Sequence, residues 1–132
     1  MNAKANILVI DDEEVVRRSF HRALDDAHCH VELAGDGEVG LRALGRQPFD
    51  VVLLDLKMPA MDGVEVLGAI KQRWPETEVI VITGYPEVET AKQAIRLGAY
   101  DFLAKPVGPD EVVHAAKGAL EHKRWALREA AA

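Results

Sequence analysis

The sequence predicts an α/β domain: a doubly wound, five-stranded parallel sheet carrying five helices. Three observations lead there. Short aliphatic runs alternate with longer stretches of helical period, and the strongest of those runs are apolar at every position. The 132 residues suffice for one core of this kind, whereas two would each be too small. Strands that read as continuous hydrophobic runs are covered on both faces, which is the setting of a parallel sheet. Right-handed crossovers then place helices on both sides of it.

The elements follow in chain order. Residues 7–10, 51–54 and 79–82 are unbroken Val, Leu and Ile runs, each about one strand long; residues 30–34 and 102–104 are weaker and suit edge or near-edge positions. Residues 13–27 place Val16, Phe20, Ala23, Leu24 and Ala27 on one helical stripe. Asp36 caps a second helix bearing Val39, Leu41 and Leu44, with Gly45 as its stop. Asp62 caps a third, with Val64, Val66, Leu67 and Ile70 inside and Pro75 beyond its end. Pro86 opens a fourth, directing Val88, Ala91, Ala94, Ile95 and Leu97 inward, and Gly98 ends it. Pro109 or Asp110 opens the fifth, which uses Val112, Val113, Ala116, Ala119 and Leu120.

Beyond Leu120 the helical period persists, with Val113, Leu120 and Leu127 seven apart. Three such positions are too few for a coiled coil, so this tail finishes the last helix, forms a seam with a second copy, or leads toward another domain. Trp125 marks a contact if it is exposed there. The expectation is a single domain over residues 1–132, with a core of about 5–121 and residues 122–132 as helix end or linker. No room is left for a further domain.

Composition narrows the function. Sixteen Lys and Arg against twenty-two Asp and Glu give a net charge of -6, the wrong balance for attraction to phosphate backbones. At 5% aromatic content a base-stacking platform is also disfavoured, so direct nucleic-acid binding is not expected. No segment approaches the roughly 20 apolar residues of a membrane span, and the apolar run 7–10 is too short for a signal core. The single cysteine, Cys29, permits no intrachain disulfide and fits a reducing, cytoplasmic setting. His28-Cys29-His30 does not read as a metal site, because neighbours on an extended chain point to opposite faces.

Ligands of open α/β sheets bind beyond the carboxyl ends of the strands. Asp11 and Asp12 follow the first apolar run, Asp55 the third, Thr83 the fourth and Lys105 the fifth. Taken singly, each is an ordinary loop residue. Together they place three carboxylates, a hydroxyl and an ammonium on one edge. Clustered carboxylates repel unless a cation or protons intervene, and an all-oxygen set with few carboxylates suits Mg²⁺. Asp55 can act as a nucleophile toward phosphorus, forming an aspartyl-phosphate, with Lys105 and Thr83 binding phosphoryl oxygens.

These residues resemble the receiver domain of two-component response regulators, similar to the chemotaxis-type single-domain receivers. The resemblance runs from Ile7 to about Leu120. It rests on Asp11-Asp12 and on the run Asp55-Leu56-Lys57-Met58-Pro59-Ala60-Met61-Asp62-Gly63. Ile82-Thr83-Gly84 and the segment from Gly98 to Pro106 complete it. It implies the flavodoxin-like strand order 2-1-3-4-5, an order known for this fold. It also implies that Asp55 accepts a phosphoryl group from a sensor histidine kinase or phosphotransfer protein. Asp12 and Asp55 match direct Mg²⁺ ligands, Asp11 one acting through water, and Lys57 one using its backbone carbonyl. Thr83 and Phe102 match the switch pair, and Lys105 the phosphate-pairing lysine, with a cis Lys105-Pro106 bond. The face of the fourth helix, fifth strand and fifth helix would report the state to an output domain, a partner protein or a second copy in a homodimer.

Two positions depart from the family's frequent choices. Phe102 stands where Tyr is common, and Lys57 with Tyr85 occupies positions that tune water access, which points to slow autodephosphorylation. Such a domain catalyses only its own phosphorylation and dephosphorylation. Other readings fit less well. A haloacid dehalogenase-type phosphatase needs Asp-x-Asp at the first strand, and a flavin module needs a Gly-, Ser- or Thr-rich phosphate loop there. A degenerate receiver serving as a phosphorylation-independent interaction module would lack part of the quintet.

Overall fold

The computed structural model describes residues 4–59 and 61–131; the side chains of residues 125, 126 and 128–131 lie outside the description, and the expectation for Trp125 with them. The elements are β1 (Ala5–Ile10), α1 (Glu14–Leu24), β2 (Cys29–Ala34), α2 (Gly37–Arg46), β3 (Val51–Asp55), β4 (Lys57–Met58), β5 (Met61–Asp62), α3 (Gly63–Arg73), β6 (Glu78–Thr83), α4 (Val88–Arg96), β7 (Asp101–Ala104) and α5 (Pro109–Ala131). Five strands form a parallel sheet in the order β2-β1-β3-β6-β7. Numbering only those five, this is the 2-1-3-4-5 order of the flavodoxin-like fold. The two-residue strands β4 and β5 pair antiparallel in the turn after β3.

Side chains alternate across the sheet and build a core on each face. Leu8, Ile10, Val52, Leu54, Val79 and Val81 pack against Ala43 and Leu44 of α2, Val66, Leu67 and Ile70 of α3, and Ala94 of α4. Ile7, Val9, Val51, Leu53, Ile80 and Ile82 pack against Phe20 and Leu24 of α1 and Val112, Ala115, Ala116 and Ala119 of α5. Burial on both faces is why β1, β3 and β6 read as unbroken apolar runs, and β2 and β7 are the edges.

Asp36 and Asp62 cap α2 and α3 as expected, accepting from the amides of Val39 and Val64 at 2.9 Å each. Gly98 ends α4 with φ 104°, a left-handed conformation that favours glycine. Three expectations need correction. The first helix stops at Leu24, so Ala27 lies outside it, because Asp25 and Asp26 turn their carboxylates onto amides of Val31, His28 and Cys29. Gly45 lies inside α2, which ends at Arg46 with Gln47 as its C-cap. In α4 Ala94 is buried as expected and Ala91 is half-buried, but Val88 is 70% exposed, Ile95 51% and the C-cap Leu97 38%, so those three face outward rather than inward.

Candidate functional site

Strand register brings the site together. Ile10 pairs with Leu54, so Asp11 and Asp55 each stand one position beyond that rung on adjacent strands. Thr83 pairs with Ala104, and the amide of the next residue, Lys105, donates to the Thr83 carbonyl at 2.8 Å. The carboxyl edge thus gathers Asp11, Asp55, Thr83 and Lys105 from four strands.

Lys105 is the hub. Its ammonium lies 2.9 Å from Glu13 Oε1, 3.0 Å from Asp11 Oδ2 and 3.3 Å from Asp55 Oδ2. Asp11 and Asp55 are buried, while Asp12 and Glu13 are exposed at the mouth. Carboxylate oxygens of Asp11, Asp12, Glu13 and Asp55 all lie within 4.8 Å of one another. Four acids around one lysine leave an excess of negative charge on hard oxygen donors, which is the donor set of Mg²⁺.

Backbone amides hold the two buried carboxylates in place. Lys57 N–H donates to Asp55 Oδ1 at 3.0 Å and Glu13 N–H to Asp11 Oδ1 at 2.9 Å. The turn after Asp55 closes tightly: Gly63 N–H donates to the Leu56 carbonyl, and a Cβ on Gly63 would stand 2.4 Å from Leu56 Cα. Glycine is required there by contact, not by conformation.

Electrostatics single out Asp55. Burial pushes its carboxyl up to about 6, helped by the nearby Asp11 and opposed by the Lys57 amide and Lys105. Burial also raises Asp11, against the Glu13 amide and Lys105. Lys105 is disfavoured as a cation by burial, but hydrogen bonds to Glu13 and Asp11 and the Asp55 charge outweigh this and raise it.

Thr83 is buried on the sheet face that α2–α4 cover, its hydroxyl accepting the Tyr85 amide at 3.1 Å. Phe102 is half-buried against that same core, and Val81 pairs with it across the strands. Tyr85 is exposed, as is the Lys57 side chain. The Lys105-Pro106 bond is cis. Sequence reasoning left Glu13 and Arg17 out of the site. Glu13 sits at the helix start, and Arg17 donates to the Asp11 carbonyl at 2.7 Å, bracing the β1–α1 turn. The unbroken run Asp11-Asp12-Glu13 was the available signal for Glu13.

A family model for the response regulator receiver domain matches residues 7–117. The chain belongs to that family. The regulatory protein AtoC of Escherichia coli is 39% identical over 112 residues, covering 85% of this receiver and 24% of AtoC. The transcriptional regulatory protein FixJ of Bradyrhizobium diazoefficiens is 34% identical over 131 residues, covering 99% of this receiver and 64% of FixJ. This receiver therefore spans about a quarter of AtoC and under two-thirds of FixJ. Among solved structures, a CheY-like receiver domain protein of Methanospirillum hungatei superposes with TM-score 0.89 at 28% identity, covering 92% of this chain and 98% of the other. NtrX of Brucella abortus superposes with TM-score 0.90 at 35% identity, covering 97% of this chain and 30% of NtrX. Receiver domains are signalling modules rather than classical enzymes, and they bind Mg²⁺ at an acidic pocket of this kind. No helix among the described residues is long and apolar enough to cross a membrane.

Proposed function

We propose that this receiver is a phosphoacceptor switch in which Asp55 takes a phosphoryl group from a phosphohistidine on a sensor kinase or phosphotransfer protein. The observation that carries the reading is the convergence of Asp55 with Asp11 and Lys105 at the carboxyl edge of the sheet. An Asp55 oxygen attacks phosphorus in line as the phosphorus–nitrogen bond breaks, and the released imidazole takes a proton from solvent. Asp12 and Asp55, with the Lys57 carbonyl and Asp11 through water, would hold Mg²⁺. When bound, that ion neutralises charge on the phosphoryl oxygens. Lys105 pairs with one phosphoryl oxygen in place of a present partner, and the Thr83 hydroxyl, which now accepts the Tyr85 amide, donates its O–H to another.

Movement of Thr83 toward the phosphoryl group frees space into which Phe102 follows. Having no hydroxyl, Phe102 is held there by packing alone. The readout is the face of α4, β7 and α5, where Val88 and Ile95 are already uncovered. The output is another domain, a partner protein or a second copy, and FixJ, named a transcriptional regulatory protein, supports an effect on transcription exerted outside this domain. We assign the receiver unit to about residues 5–121 and place it in the cytoplasm.

Incubation with Mg²⁺ and acetyl phosphate, followed by intact mass measurement, tests the reading. A phosphoryl adduct is expected on the native chain and none on Asp55→Asn; an adduct that survives the substitution overturns it. Lys57 and Tyr85 at the mouth restrict the attacking water, so the adduct is expected to persist well beyond seconds. Decay within seconds in Mg²⁺ buffer contradicts that.

A further inference from the structure

A lysine ammonium has three N–H donors and no acceptor. In this site three carboxylates surround it: Glu13 at 2.9 Å, Asp11 at 3.0 Å and Asp55 at 3.3 Å. Bond formation at Asp55 Oδ2 removes that oxygen's charge, and the phosphoryl oxygen that turns to Lys105 then competes with Glu13 and Asp11 for the ammonium. Two of the three are held in place. The Asp11 side chain is 2% exposed and that of Asp55 3%, and the second oxygen of each accepts a backbone amide.

Glu13 differs in every respect. Its side chain is 60% exposed, and among the described residues Lys105 is the one hydrogen-bond partner of its carboxylate. It occupies the N-cap position of α1 yet makes no capping bond from its side chain. Its departure therefore costs the helix nothing and returns a carboxylate to water.

We propose that Glu13 is a placeholder on Lys105, filling in the resting domain the position that a phosphoryl oxygen takes, and yielding to solvent when that oxygen arrives. This rests on the phosphoacceptor reading. Glu13 is a positioning residue, acting on the chemistry at Asp55 through Lys105. It keeps the ammonium aimed into the site while making the empty site resist phosphoryl-like anions.

Beryllofluoride, which mimics a phosphoryl group on an Asp carboxylate, provides the test. Its affinity is measured by calorimetry on the native chain, Glu13→Gln and Glu13→Asp, with Mg²⁺ saturating for each so that altered ion affinity does not enter. Glu13→Asp keeps the charge but is one methylene too short to hold Lys105. Both variants are expected to bind beryllofluoride roughly three- to five-fold tighter than the native chain, the worth of releasing one exposed ion pair. Tighter binding by Glu13→Gln alone would mean a general charge effect and overturns the placeholder. Unchanged or weaker binding by both also overturns it. A native chain that takes neither beryllofluoride nor a phosphoryl adduct refutes instead the phosphoacceptor reading beneath it.

Discussion

At the carboxyl end of the sheet, four clustered acids share one lysine, which contacts three of them; at the amino end, two acids face three basic groups. There Glu78, the first residue of β6, meets His122 Nδ1 at 2.6 Å and lies 3.9 Å from the Lys71 ammonium. Asp50, just before β3, pairs with Lys123 at 2.7 Å and also accepts the Asn6 amide. Lys71 donates further to the carbonyls of Pro75 and Thr77, and the His122 ring lies against Tyr100. The amino end fastens α3 and the extension of α5 to the sheet with matched charge. The opposite end leaves buried carboxylates under-compensated, so its charge is available to bind a cation. One sheet thus separates a structural end from a reactive one, and substitutions at the two ends should move stability in opposite directions.

The largest effect is expected at the amino end. Glu78→Ala leaves Lys71 with its two carbonyl partners and, among the described residues, no carboxylate, although burial already disfavours its cationic form and the Glu78 charge supports it. Breaking a buried ion pair from one side costs about 3–5 kcal/mol, and the exposure of His122 lowers the figure here to about 2–3 kcal/mol. Urea denaturation measures the loss, while phosphorylation of the folded variant by acetyl phosphate should persist. Unchanged stability would erase the distinction between the ends. A smaller effect of opposite sign is expected from Asp55→Asn in Mg²⁺-free buffer at neutral pH. The amide keeps the shape and the Lys57 contact but removes a carboxylate whose ionisation burial opposes. A gain of about 1–2 kcal/mol follows from a shift of this direction and size, in which the opposing Lys105 pairing is already included. A loss of stability would mean that Lys105 more than compensates the Asp55 charge.

Much of this contrast is legible in the sequence at one end and almost none at the other. Asp11, Asp55, Thr83 and Lys105 stand directly after apolar runs, so strand periodicity places them on one edge. Glu13 escapes the same logic because its role depends on a side chain leaving an N-cap position to reach a lysine 92 residues away. The amino-end clamp is invisible for a related reason. His122 and Lys123 read as a polar tail, and their partners lie 44 and 73 residues away. Apolar period also locates a stripe without saying what covers it, which is why Val88 and Ile95 share the period of buried Ala94 and yet stand exposed. The early end of α1 is likewise set by Asp25 and Asp26 capturing amides, a local competition that periodicity does not register.

The pH dependence of stability offers the finest test, because the two ends titrate in separate windows with opposite sign. Asp55 carries a folded-state value of about 6 against an ordinary 3.8, and Asp11 is raised as well. Between those values the native chain holds more protons than the unfolded one. Stability is therefore greatest below the ordinary value and falls as pH rises through about 6. Asp26, lowered by the amides of His28 and Cys29, acts the other way, its contribution being lost as pH falls below the ordinary value. Subtracting the Asp55→Asn curve from the native one cancels Asp26 and isolates Asp55, leaving a decline of about 1 kcal/mol between pH 4 and 7. Lys71 is lowered by burial, so its end gains stability as pH rises toward 10.5. Saturating Mg²⁺ should abolish the acid-side decline, since a bound cation favours the ionised carboxylates, and should leave the alkaline rise untouched. A flat difference curve without Mg²⁺ would mean that Asp55 is already balanced by Lys105, and the reactive end would then be as neutral as the structural one.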